Sequence, residues 1–168
     1  MWHFEPAHST VEFAVRNLFF FTVRGQLKVR VGAILLDETD IAGSGVKVTL
    51  DGATIDTGNR RRDDHLRAKP FLHAAEYPDI EFQSSSVGPG KDRDMLAIKG
   101  TLTIKGKSKE ILLEASEVDR SRSPQGEEVI YYCATAELDR HAFGINYGRG
   151  IIGRVLKVTI NVQAIRQE

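Results

Sequence analysis

The sequence predicts an all-β fold, an antiparallel barrel of eight to ten strands. Three observations lead there. Apolar and polar residues alternate with period two along most of the chain, the signature of strands with one wet face. The gaps between these segments are mostly too short for the crossover helices a parallel sheet needs. The strands are long and polar on their outer faces, which favours a closed barrel over a sandwich because closure removes exposed edges.

The alternating segments follow in order. "VEFAV" sets Val11, Phe13 and Val15 on one face, and "VRGQLKVRV" does the same with Val23, Gly25, Leu27, Val29 and Val31. "AILLD" reads as the next strand. "VKVTL" aligns Val46, Val48 and Leu50, after which Ala53 and Ile55 are out of phase, so Asp51-Gly52 reads as a bulge. "IEFQSSSV" aligns Ile80 and Phe82, and "LAIKGTLTI" aligns Leu96, Ile98, Gly100, Leu102 and Ile104. "KGKS" is a turn before "EILLEA". "EVIYYCATAEL" carries Ile130, Tyr132, Ala134, Ala136 and Leu138 on one face, and "VLKVTINVQAI" carries Leu156, Val158, Ile160, Val162 and Ala164.

One helix is expected in "TGNRRRDDHLRAKP", with Asn59 as N-cap, Asp63 and Asp64 early and Pro70 as a stop. "DRHAFGINYGRG" reads as a short helical or looped segment. In "NLFFFTVRG" three consecutive rings cannot share one face of a strand. The run reads as an irregular connection at a barrel end, where strand parity extended backwards from Val23 turns Phe21 and Phe19 inward and Phe20 outward.

Composition narrows the function. The chain has 168 residues, enough for one domain spanning 1–168. Its 23 lysines and arginines balance 23 acids, which argues against nucleic acid as a main partner. Cys133 is the sole cysteine, so no intrachain disulfide forms. The start "MWHFEPAHST" lacks the basic and apolar regions of a signal peptide. Together these lead to the expectation of a cytoplasmic protein. No apolar run approaches a helical membrane span.

Motifs for chemistry are sparse. His3, His8, His65, His73 and His141 show no metal-ligand spacing, and no metal is expected. His65 beside Asp64 and near Arg62 and Arg67 raises acid–base work, although such a helix is more often a solvated face with ion pairs. Arg60, Arg61 and Arg62 at a helix start suit a phosphorylated or polar headgroup, or form ordinary paired surface charge. No nucleophile elbow or phosphate loop is present. Eight phenylalanines fall in the strands and at their ends. Such rings either fill a small barrel as core, which pattern alone favours, or line a pocket for an apolar ligand.

Four blocks in order give the chain a resemblance to the YceI-like proteins, also described as polyisoprenoid-binding and lipocalin-like. Trp2 and "PAHSTVEFAVRN" match the family's opening, and "TVRGQL" follows. The central block has Arg62-Asp63-x-His65-Leu66, Phe71, Tyr77-Pro78 and Phe82 in family order and spacing. "GTLTIKGKSKEILLEA" matches a late hairpin, and "LDRHAFGI", with Arg140, Phe143 and Gly144, the last motif. Family members commonly have His at the position of Asn17 and small or aliphatic residues at "FFF".

The resemblance implies an eight-stranded, extended lipocalin-like barrel with a short helix at one end. It also implies a long apolar pore holding an isoprenoid chain, such as a quinone tail or polyprenyl phosphate, in a binding, transport or storage role with no catalytic residues. That lipid is the ligand, with no separate cofactor. The residues expected to line the pore are Phe13, Val15, Leu18, Phe19, Phe21, Val23, Leu27, Leu66, Phe71, Phe82, Leu102, Phe143, Ile145, Val158 and Ile160. Arg62, Asp63, His65 and Arg67 form the expected headgroup side. Two alternatives stand beside this reading. One is an enzyme acting on a lipid or small apolar substrate through His65, Asp63, Asp64 and Arg67. The other is a plugged barrel serving as an interaction module, with exposed Phe rings as a homodimer contact.

Overall fold

The computed structural model describes residues 1–17 and 21–167. Among the described residues nine strands run β1 (Trp2–Phe4), β2 (Thr10–Asn17), β3 (Thr22–Leu35), β4 (Gly45–Asp56), β5 (Asp79–Pro89), β6 (Met95–Ile104), β7 (Lys107–Arg122), β8 (Glu128–Asp139) and β9 (Ile152–Arg166). One helix, α1 (Arg60–Arg67), lies between β4 and β5. All neighbouring strands pair antiparallel, and β3–β4 pairing closes the sheet into a barrel.

The barrel has eight staves because β1 and β2 share one. Both pair with β3 and with β9: Thr10 sits opposite Lys28 and Asn161, while Trp2 sits opposite Ile34 and Arg166. A 3-10 turn at Pro6–His8 interrupts this stave. There the buried Ser9 hydroxyl donates to the Gln163 carbonyl (3.3 Å) and accepts from its N–H (3.2 Å), replacing ladder bonds the turn removes. The three-residue strand β1, next to a proline, is too short to read from periodicity.

Two segments that read as separate strands, "VRGQLKVRV" and "AILLD", run together in the single strand β3, which ends at Leu35. A bulge explains the apparent break. Val29 pairs with Leu50 and Val31 with Thr49, so Arg30 is an extra residue that reverses the phase. Val29 is buried, but Val31 faces out and is 56% exposed, a correction to its inward assignment. Ile34 then returns to the interior.

The second bulge lies where the sequence placed it. Lys28 pairs with Asp51 but Gln26 with Asp56, so residues 52–55 oppose Leu27 alone. The carbonyls this frees are taken by α1. Arg67 Nη1 donates to Ile55 O (3.2 Å) and Ala53 O (3.4 Å). Asn59 caps the helix by accepting from the Arg62 N–H (3.0 Å), as expected.

Inward glycines make room for rings. A Cβ on Gly25 would lie 2.5 Å from the Phe13 ring, and one on Gly100 equally close to the Phe82 ring and the Gln83 carbonyl. At the β6–β7 hairpin, Lys105 and Gly106 both adopt positive φ (54° and 74°), the two-residue turn that matches strand twist.

The two barrel ends differ. Trp2, Ile130 and Ala164 pack as solid core at the end holding both termini, where Arg120 and Arg166 lie over the Trp2 ring. The opposite end carries α1, the β6–β7 turn and the β8–β9 connection; it is called the helix end below.

Candidate functional site

A cavity of about 450 Å³ occupies the barrel. Every barrel stave contributes to its wall, and among the described lining residues only Ser44, Arg62, His65, Tyr132, Arg140 and Tyr147 carry polar side-chain groups. Such a wall offers hydrocarbon to hydrocarbon over most of its length, with polarity at the ends. Phe13, Val48, Ile98, Val158 and Ile160 point inward yet remain partly accessible, because they face the cavity instead of one another. Among the described residues, these side chains line the lumen and do not fill it.

The cavity brings together Phe13, Val15, Val23, Leu27, Leu66, Phe71, Phe82, Leu102, Phe143, Ile145, Val158 and Ile160. Leu18 and Phe19 lie outside the described residues. Phe21 does not line the cavity. It precedes the first residue of β3 and its ring is 70% exposed, so strand parity does not extend to it.

The headgroup set divides. Arg62 and His65 line the helix end of the cavity; Asp63 and Arg67 do not. Asp63 is 7% exposed and accepts from the Thr57 N–H (2.9 Å) and hydroxyl, tying α1 to the segment after β4. Arg67 is spent on the bulge carbonyls and on Asp64. Arg62 donates through Nε to Thr57 Oγ1 (2.8 Å) and through Nη2 to Thr57 O (2.9 Å). His65 packs edge-on against Phe71 (5.0 Å) and Tyr147 (4.8 Å). The convergence of His65, Asp63, Asp64 and Arg67 that the enzymatic alternative requires is thus not formed. Among the described residues, no three His, Cys, Asp or Glu side chains sit together as metal ligands.

Arg140 and Tyr147 are additions from the structure. Arg140, 4% exposed, donates to four backbone carbonyls: Nε to Gly153 (2.8 Å), Nη1 to Ile145 (2.9 Å) and Tyr147 (2.7 Å), and Nη2 to Ile152 (3.1 Å). It fastens the β8–β9 connection across the helix end and places the Tyr147 ring against Phe71 (5.2 Å). The motif "LDRHAFGI" pointed at Arg140. Nothing in the glycine-rich run after it distinguishes Tyr147.

Asp139 holds this assembly from outside. It accepts from the His141 N–H (2.9 Å) at the head of the 3-10 turn Arg140–Phe143 and pairs with Arg154 (2.7 Å). Hydrogen bonding to Arg154 and the charge there pull its carboxyl down to about 2. A carboxylate depressed in the folded state stabilises it fully above the ordinary range, about 3.9, and that contribution disappears as pH falls through about 2. The urea midpoint is therefore expected to drop between about pH 4 and 2, and to drop less steeply in Asp139→Asn. Parallel pH profiles for the two proteins would contradict this.

At the other end the cavity adjoins a smaller hollow of about 260 Å³, with Leu36, Leu96 and Tyr132 common to both. Arg120 crosses it, donating to Glu117 (2.7 Å) and to Glu38 of the β3–β4 connection (2.6 Å), and the pair of carboxylates raises its pKa.

Comparison with known proteins agrees with this architecture. The barrel superimposes on BcnA of Burkholderia cenocepacia with a TM-score of 0.84 at 20% identity, covering 95% of this chain and 98% of that one. A polyisoprenoid binding domain from Saccharophagus degradans matches with a TM-score of 0.71 at 13% identity, covering 99% and 98%. In sequence, Protein YceI of Escherichia coli O157:H7 is 32% identical over 164 residues, 98% of this chain and 85% of that protein. The family described as the YceI-like domain matches residues 2–164, from β1 into β9. The two glycine-seated rings, the capped helix on its bulge and the apolar lumen are thus the local anatomy of a known architecture, and the chain belongs to the YceI-like family.

Proposed function

We propose that this protein binds a long apolar lipid of the isoprenoid type inside the barrel, as a carrier or store. The observation that carries the reading is the cavity, whose wall is hydrocarbon nearly throughout. Each buried methylene contributes about 0.8 kcal/mol, so a chain needs little polar help to bind. The similarity to a polyisoprenoid binding domain supports the isoprenoid class. A quinone or prenyl phosphate headgroup rests at the helix end beside Arg62, whose Nη1 has no protein partner among the described residues, and beside the exposed His65. At such a mouth the headgroup keeps its water.

Mass spectrometry of an organic extract of the purified protein tests this. A stoichiometric isoprenoid lipid is expected. Repeated extracts without lipid, together with no uptake of added polyprenyl phosphate or quinone, would reject the reading.

A further inference from the structure

The chain carries no net charge, yet its barrel is polarised end to end. At the helix end, the segment between β4 and β5 holds five arginines and lysines against three acids, and the β8–β9 connection holds Arg140 and Arg149 with no carboxylate. At the opposite end the β3–β4 connection holds Asp37, Glu38 and Asp40 with no basic residue.

The positive end is crowded enough to affect its own titration. Lys105 is held below its ordinary pKa by burial and then by Lys107 and Lys69, and His141 by burial and then by Arg140 and Arg149. Arg60, Arg61 and Arg149 are exposed and form no ion pair among the described residues.

Apolar side chains protrude from the same end. Phe21 is 70% exposed, Ile151 60% and Tyr147 50%. The first two are brought together by β2, whose Arg16 pairs with Thr22 and whose Asn17 pairs with Ile152. Tyr147 belongs to the same β8–β9 connection as Ile151 and lines the cavity, against His65. Exposed aromatic and aliphatic tips within a field of unpaired arginines match the chemistry of a bilayer interface, where rings sit at headgroup depth and basic residues meet anionic lipid. Exposed apolar residues also occur at the other end, among them Leu35 and Val118, but an anionic surface repels that end.

We infer that the helix end is a docking face for an anionic membrane surface, with Phe21 and Ile151 entering the headgroup layer and Arg60 and Arg61 pairing with acidic lipid. The inference gains its purpose from the lipid-cargo reading: docking sets the His65–Tyr147 mouth against the layer from which an apolar chain enters or leaves.

Co-flotation of the full chain with vesicles is the test, using phosphatidylcholine alone or mixed with phosphatidylglycerol. Binding to the mixed vesicles is expected to be at least about tenfold tighter than to the neutral ones and to weaken with added salt. Phe21→Ser/Ile151→Ser and Arg60→Glu/Arg61→Glu are each expected to weaken it about tenfold, while Leu35→Ser at the acidic end leaves it unchanged. All five exchanged side chains are exposed, and circular dichroism checks that the fold persists. Equal binding to both vesicle types, no binding, or binding indifferent to the basic-end changes overturns the docking face. So does self-association of the oppositely charged ends without vesicle binding, seen by sedimentation. Extracts that still contain isoprenoid while flotation fails refute docking alone; flotation with lipid-free extracts refutes the cargo alone.

Discussion

Val158→Trp is expected to empty the barrel of lipid while leaving the barrel standing. Val158 sits on β9 directly opposite Phe13 of β2 and Ala136 of β8, and all three line the cavity. An indole there projects into the path of any chain that threads the lumen. Displacing one five-carbon unit forfeits at most about 4 kcal/mol at about 0.8 kcal/mol per carbon, which approaches a thousandfold in Kd. The chain can bend or withdraw, so at least a tenfold loss is the expected result.

The cost to the fold is expected to be small, within about 1.5 kcal/mol, because the ring enters open space and does not overpack a filled core. Lipid content by mass spectrometry and the urea midpoint read the two effects separately. Unchanged lipid content in a folded variant would place the ligand outside the lumen. A collapse in stability would show that this layer is packed core after all.

Arg140→Met carries the largest expected effect on stability. The guanidinium is buried and answers four backbone carbonyls that no other described side chain reaches. Methionine keeps most of the volume and removes every donor. Buried acceptors left unpaired cost about 1–3 kcal/mol each when water cannot reach them. Some of these carbonyls can turn to solvent, so a loss of about 3–4 kcal/mol is expected, equivalent to roughly 10 °C in Tm for a chain of this size.

Arg140→Lys separates geometry from charge. A lysine restores the cation but offers one nitrogen where the carbonyls need three. It is expected to recover less than half of the loss. Full recovery would mean that charge alone matters at this position, and a loss below about 1 kcal/mol in Arg140→Met would mean the connection is held by other contacts.

Much of the barrel was legible because a strand has a period of exactly two. Wherever one face is wet, alternation names the inward residues, and the inward sets of β6, β8 and β9 were read correctly in full. The bulge after Asp51 was legible because it breaks that alternation at a glycine. The bulge at Arg30 was not. Val29 and Val31 continue the pattern across it, and only the partner strand shows that an extra residue has been inserted. The same local logic misplaced Phe21, since parity holds only within the ladder and β3 starts one residue later.

Side-chain roles on α1 lay further out of reach. Arg62, Asp63, His65 and Arg67 are close in sequence, but a helix fans them over different directions. Which of them meets the cavity depends on how α1 sits on the β4 bulge. Asp63 and Arg67 secure that seat, Arg62 is divided between seat and cavity, and His65 faces the mouth.

By itself the sequence determined the all-β class, the inward faces away from the Arg30 bulge and the strand ends, the helix and its cap, and the balance of charge, because each follows from local period and residue type. Only the tertiary structure decided that the barrel encloses a cavity instead of a filled core. Alternation specifies which side chains point inward but not the strand number, tilt and stagger that set how far apart opposite walls stand. Closure also decided that a chain of zero net charge has a basic end and an acidic end, since residues far apart in sequence share an end only when the staves come into register.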